Sequence, residues 1–224
     1  METSLGIDDP VKNFVKNNPQ CAKVFEELNI DFCCGGDTSL LTACEEEDLE
    51  PHWVYQRLVE LQPAPSTREK DVSDLTLTEL TEHLESTHHV YLKKALPRLV
   101  ALMDKVHQAH SPRHPELTRL QTVVENLRAD LEPHLLKEEQ ILFPLIRQLE
   151  AEGLQLEAAQ GPIRVMRSEH DGAGDLLKEM RTLTNVYVVP KDGCQSFQLL
   201  YEGLKELEED THLHIYKENN ILFR

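Results

Sequence analysis

Two stretches decide the fold: His134–Pro144, HLLKEEQILFP, and His214–Phe223, HIYKENNILF. Each sets a histidine four residues before a glutamate, His134 before Glu138 and His214 before Glu218, and continues Ile-Leu-Phe. On a helix, residues four apart share a face, one turn from each other. Both pairs fall on the stripe where their neighbours place leucine. A carboxylate in an apolar seam costs several kcal/mol unless something pairs with it. Two such carboxylates, each with an imidazole one turn earlier, point to a shared partner.

Working outward, four long helical patterns cover roughly 77–108, 116–150, 162–185 and 194–223. The seam of the second runs Leu117, Leu120, Val124, Leu127, Leu131, His134, Glu138, Ile141 and Leu145, in steps of three and four. That of the fourth runs Phe197, Leu200, Leu204, Leu207, Thr211, His214, Glu218 and Ile221. The third carries His170 among Ile163, Met166, Ala173, Leu177, Met180 and Thr184, and the first carries His89 ahead of Leu92, Leu96, Leu99, Met103 and Val106. Such stripes with short connections describe an all-α four-helix bundle. Thr76 and Glu79 have the spacing of a capping box before the first helix, and Gly153 closes the second. Pro133, just before His134, is expected to kink its helix or remove a backbone bond.

The histidine spacing carries the chemistry. His89 precedes His134 by 45 residues and His170 precedes His214 by 44, so the bundle reads as two similar helix pairs, each supplying H…HxxxE. Four imidazoles and two carboxylates exceed the four ligands of a structural zinc. They suit two ions, two histidines on each with Glu138 and Glu218 bridging, and an oxide or hydroxide bridge completing five ligands. Mixed imidazole and carboxylate ligation favours iron, with manganese second. Glu85–His88 and Glu209–His212 have the Glu-x-x-His spacing of another di-iron design, but His212 leaves the seam and His88 sits at its edge. His107, His110 and His114 surround an interhelical loop, HSPRHP, and are expected to be solvated.

A formal net charge of -17 argues against nucleic acid as a partner, since phosphate binding needs a clustered basic face. No apolar run reaches the length of a membrane span, and the first residues lack an apolar signal core. Five cysteines, an odd number with two adjacent, do not form a secreted disulfide framework, so a reducing, cytoplasmic location is expected. A stretch rich in proline and charge, QPAPSTREKDVSD, divides a small helical domain, 1–62, by a linker at 63–75 from the bundle, 76–224. Sixty residues are marginal for independent folding, so the small domain is expected to lean on the rest or on a second copy in a homodimer.

The small domain contains DFCCGGD, Asp31–Asp37. Cys33 and Cys34 are too close in sequence for an unstrained disulfide, and the glycines permit tight turns before a helix that Asp37 or Thr38 would cap. A thiolate near that helix start would be favoured by the backbone amides. Cys21, Cys44 and Cys194 are read as packing residues.

With DFCCGG ahead of HLLKEEQILFP, GPIRVMRSEHD and HIYKENNILF, the sequence resembles the di-iron iron–sulfur cluster repair proteins, the repair of iron centres family, over nearly its whole length. The resemblance implies a hemerythrin-like bundle whose two irons are held by His89, His134, Glu138, His170, His214 and Glu218, the set that the seams select. It places Cys33 and Cys34 in the domain associated with repair. The implied function is restoration of iron–sulfur proteins damaged by nitric oxide or oxidants, by donating iron or by handling nitric oxide. A hemerythrin-like binder or sensor of oxygen or iron, and reduction of nitric oxide at the two irons, are the competing readings. The family continues ILFP at the second motif, whereas this chain reads Leu222-Phe223-Arg224.

Overall fold

The computed structural model describes residues 5–61 and 72–224. Among them every regular element is helical, and extended backbone pairs only in an isolated bridge between Pro10 and Ser39. Most of the expected linker, residues 63–71, lies outside the described residues. Contacts divide the chain into two compact units, Met1–Thr76 together with Leu213–Arg224, and Leu77–His212.

The first unit holds four short helices, α1 (Val11–Asn17), α2 (Cys21–Glu27), α3 (Leu40–Glu46) and α4 (Pro51–Val59). Helices of two turns do not persist alone in water; these close on a core that includes Phe14, Phe25, Phe32, Leu40 and Val54. Ile215 and Tyr216 belong to the same core. The Tyr216 ring lies 5.9 Å from that of Phe32, and its hydroxyl donates to the Lys12 carbonyl at 3.0 Å. Neither Asp37 nor Thr38 caps α3: Ser39 does, its hydroxyl accepting the Thr42 amide at 3.1 Å. Cys21 and Cys44 are buried, as their reading as packing residues requires.

The second unit is the bundle. Its first rod is α5 (Leu77–Leu84), a π-turn (π1, Glu85–His89) and α6 (Val90–His110). Its second is α7 (Glu116–Lys137), π2 (Glu138–Leu142) and α8 (Phe143–Ala151). The third is α9 (Gln160–Leu183), and the fourth is α10 (Gln195–Lys217) as far as His212; the last residues of α10 and the π-turn that follows, π3 (Glu218–Leu222), belong to the first unit. α7 packs against α6 and α9. Leu99, Met103, Leu120, Leu127, Leu177 and Leu204 are wholly enclosed in one cluster; each such side chain contributes about 1.5–3 kcal/mol on burial. Thr211, at a seam position, is also enclosed, and donates to the Leu207 carbonyl of its own helix at 2.7 Å.

The helix ends follow local chemistry. Gly153 takes φ +67°, and the amides of Gly153 and Leu154 return to the carbonyls of Glu150 and Leu149, the paired bonds of a Schellman ending. At the start of α5 the amides of Leu77 and Thr78 donate to the Glu150 carboxylate at 2.8 and 2.9 Å. The Thr78 bonds hold the Glu150 pKa below the usual carboxylate value against partial desolvation.

Three further features depart from the sequence reading. Each π-turn is closed by a bond five residues long: the Val90, Phe143 and Phe223 amides donate to Glu85, Glu138 and Glu218. The extra residue turns the following seam by about a quarter to a third of a revolution. Ile141 and Leu145, read as seam residues, are therefore exposed and partly exposed, and Leu142, Phe143 and Ile146 are buried instead. Ile221 likewise yields to Leu222. Pro133 does not interrupt α7, which continues through it to Lys137. His110 is buried with its ring edge-on to Phe197 at 5.2 Å, and His114 reaches Glu116 and Asp192, so neither is simply solvated.

Candidate metal centre

In the second unit His89 closes π1, His134 lies in the last turn of α7, Glu138 opens π2, and His170 sits midway along α9. All four are buried, Glu138 completely. Its two oxygens face two imidazoles: Oε2 is 3.3 Å from His89 Nε2, and Oε1 is 3.2 Å from His134 Nε2. The His170 ring lies 4.9 Å from that of His134, and His134, Glu138 and His170 present donor atoms within 4.8 Å of one another. One carboxylate thus serves two imidazole positions.

The far side of each ring explains its orientation. His89 Nδ1 lies 2.8 Å from Glu139 Oε1, and Lys93 Nζ lies 2.6 Å from the same oxygen. His134 Nδ1 lies 2.9 Å from Glu169 Oε2, and Lys137 donates to the other Glu169 oxygen. Burial would raise both carboxyl pKa values, but the hydrogen bonds from lysine and histidine prevail and lower them. An ionised carboxylate only accepts, so Nδ1 carries the proton in each ring. With Nδ1 so held, each ring sets its Nε2 toward a Glu138 oxygen, and a cation between them would be chelated by both.

The donor set passes this test in distance as well. Metal–nitrogen and metal–oxygen bonds of about 2.1 Å separate the two donor atoms by about 3.0 Å at a right angle and about 3.4 Å at the tetrahedral angle. The observed 3.2–3.3 Å lies between. Outer carboxylates holding ligand histidines by Nδ1 are the usual support of a metal site.

In the first unit His214 and Glu218 repeat the arrangement of His134 and Glu138: Nε2 to Oε1 at 3.2 Å, both residues buried, the glutamate opening a π-turn. The alternative pair Glu85–His88 is otherwise engaged, Glu85 with Arg147 at 2.8 Å and His88 with Asp210 at 2.9 Å.

The Cys33–Cys34 loop also belongs to the first unit. Asp31 gathers it: Oδ1 accepts the amides of Cys33 and Cys34 at 2.9 Å, and Oδ2 that of Gly35 at 2.8 Å. The amides expected to favour a thiolate therefore serve Asp31. The Cys33 thiol is buried and donates to Asp31 Oδ1 at 3.2 Å. Its hydrogen bond with Cys34, its burial and the Asp31 charge push its pKa well above the ordinary thiol value. Cys194, expected to pack, is exposed ahead of α10 and 3.2 Å from His110 Nε2. The Phe197 amide lowers its pKa against the desolvation that would raise it.

Sequence reasoning missed Glu139, Glu169, Lys93 and Lys137. Lysines four residues after His89 and three after His134 were the available signal, since each shares a face with a buried histidine.

Comparison with known proteins agrees with this geometry. Residues 57–224 match the hemerythrin HHE cation binding domain, and residues 7–62 match a domain of unknown function, DUF542. A probable iron–sulfur cluster repair protein of Haemophilus influenzae is 36% identical over 92% of this chain and 90% of its own. The chain belongs to the hemerythrin-type iron–sulfur cluster repair family. Further members are the repair proteins YtfE of Shigella boydii, 35% identical over 96% of this chain and 95% of its own, and of Dickeya chrysanthemi, 37% identical over 92% and 90%. Members of the repair family thus share both parts of this chain, and no helix among the described residues is long and apolar enough to cross a membrane.

Proposed function

We propose that the chain binds two iron ions through His89, His134, Glu138, His170, His214 and Glu218, and returns iron to clusters damaged by nitric oxide or oxidants in the cytoplasm. The observation that carries this reading is Glu138, enclosed in the bundle with one oxygen toward each of two Nδ1-anchored imidazoles. His214 and Glu218 are assigned to the same pair of ions because they reproduce the His134–Glu138 spacing and its wide turn. Imidazole and carboxylate together favour iron over a thiolate-loving metal. Repair is the activity named for the relatives that match nearly the whole chain.

In this reading residues 76–224 hold the metal, 63–75 link, and 1–62 carry the thiols that meet the recipient iron–sulfur protein. The protein's own contribution is orientation. Glu139 and Glu169 keep both Nε2 atoms on the ion side, while Lys93 and Lys137, about half exposed, hold those carboxylates from the solvent side. Carboxylate and histidine ligands give up a metal on protonation without dismantling a helical core, which suits delivery better than permanent storage.

The test is iron analysis and Mössbauer spectroscopy on anaerobically purified protein, with reactivation of a nitric-oxide-damaged iron–sulfur enzyme. Two irons per chain and reactivation are expected, both reduced in His170→Ala. One tightly held zinc and no iron after iron-replete expression would sink the reading. Equal reactivation by wild type and an iron-free His170→Ala would sink the donor role.

A further inference from the structure

We infer that Asp31, Cys33 and Cys34 form a second metal site, for one thiophilic divalent cation, distinct from the histidine and glutamate centre. Their ligand atoms lie within 4.8 Å of one another. Both thiols are free, and their sulfurs are 3.9 Å apart, far beyond a disulfide bond. A tetrahedral ion with metal–sulfur bonds of about 2.3 Å sets two sulfurs about 3.8 Å apart. The same ion sets a carboxylate oxygen about 3.5 Å from each sulfur, taking a metal–oxygen bond of about 2.0 Å. Asp31 Oδ1 is 3.2 Å from Cys33 Sγ. Two of the three donor separations therefore match edges of one coordination tetrahedron, and the third lies within 4.8 Å.

The loop is built to hold them there. Asp31 binds three successive amides, which fixes its carboxylate against the thiols. A Cβ on Gly36 would meet the Phe32 carbonyl oxygen at 2.7 Å, so the chain can turn this tightly only at glycine. The Cys33 carbonyl accepts Asn220 Nδ2 at 3.0 Å and Asn219 Nδ2 at 3.5 Å, from the π-turn that Glu218 opens. Cys33 is buried, Cys34 half-buried and Asp31 exposed, so the cluster borders solvent and offers three protein donors for four positions. Binding releases one proton from each thiol; the two thiolates and the carboxylate then carry three negative charges against two positive ones. An open corner allows ligand exchange, as a transfer site needs and a structural zinc site does not. Ferrous iron as its cargo is the one part of this inference that rests on the proposed function.

Cobalt(II) titration of the iron-loaded full-length protein, reduced and anaerobic, tests the site. Thiolate-to-cobalt charge-transfer absorption is expected, saturating at one equivalent, because imidazole and carboxylate ligands cannot produce it. Cys34→Ser and Cys33→Ser should each abolish most of it, and Asp31→Asn should weaken binding tenfold or more. X-ray absorption of the wild-type adduct should find two sulfur neighbours, a result independent of any variant's folding. Absence of the band, its survival in the Cys33→Ser/Cys34→Ser protein, or a shell without sulfur would overturn the site. Cys34→Ser should keep its two irons. Iron loss in wild type would instead count against the proposed function and leave the cobalt result standing.

Discussion

Replacing Glu169 by glutamine isolates the outer support of one ion. Glu169 accepts from His134 Nδ1 at 2.9 Å and from Lys137, and glutamine keeps its length and an oxygen for the ring while removing the charge. A hydrogen bond to a charged group contributes about 1.5–3 kcal/mol and a neutral one about 0.5–1.5, so the substitution should cost about 1–1.5 kcal/mol. That is about tenfold in metal affinity, at the lower end of the 10–100-fold typical of such partners. The Lys137 pair adds little, since its ammonium is 44% exposed and an exposed ion pair contributes at most about 1 kcal/mol. Competition of the protein with a calibrated chelator, fitted to two sites, should show one site weakened about tenfold. Glu139→Gln should weaken the other, and the double variant both. Unchanged affinity in Glu169→Gln, or equal losses at both sites in each single variant, would refute the assignment of one carboxylate relay to each ion.

Acid stability should carry the same signature. The pKa values of Glu139 and Glu169 are depressed in the fold, so their stabilisation is complete above the ordinary carboxyl value of 4.5 and is lost as pH falls through the folded values. In metal-free protein the melting-temperature gap between wild type and Glu139→Gln/Glu169→Gln should narrow below about pH 4.5; a gap that widens there would reverse the sign. The π-turns predict tolerance of shortening. Deleting Gln140 from π2 returns the turn to α-helical pitch with its flanking seams in phase, whereas deleting Asn126 from α7 rotates the following residues by about 100°. Urea denaturation should find the Gln140 deletion folded and the Asn126 deletion more damaging by several kcal/mol; the opposite order would contradict this account of the turns.

The bundle was legible because its signal is repetitive. Leu117 to Glu138 steps in threes and fours, and a buried glutamate in that row has few physical explanations. The reading failed where the helix stopped being α: nothing local distinguishes Ile141 from Leu142 once one residue is added to a turn, and both are equally apolar. It failed again where partners come from other helices. Glu150 capping α5 and Glu169 holding His134 look like ordinary surface acids in a strongly acidic chain. Asp31 was passed over for a related reason. A carboxylate just before two cysteines reads as solvated until the backbone turns and three amides converge on it.

The membership of Ile215 and Tyr216 in the core around Phe14, Phe25 and Phe32 imposes an order on biogenesis. The bond from the Tyr216 hydroxyl to the Lys12 carbonyl joins residues 204 apart in sequence. At a synthesis rate of about 5–20 residues per second, Lys12 waits roughly 10–40 s on the ribosome for its partner. During that interval helices too short to persist alone hold their phenylalanines with part of the core still unmade. The bundle from Leu77 onward is synthesised and can begin to pack before the first unit has its last core residues. The Cys33–Cys34 loop, secured by Asn219 and Asn220, is then among the last parts of the protein to take shape, although its own residues are among the first translated.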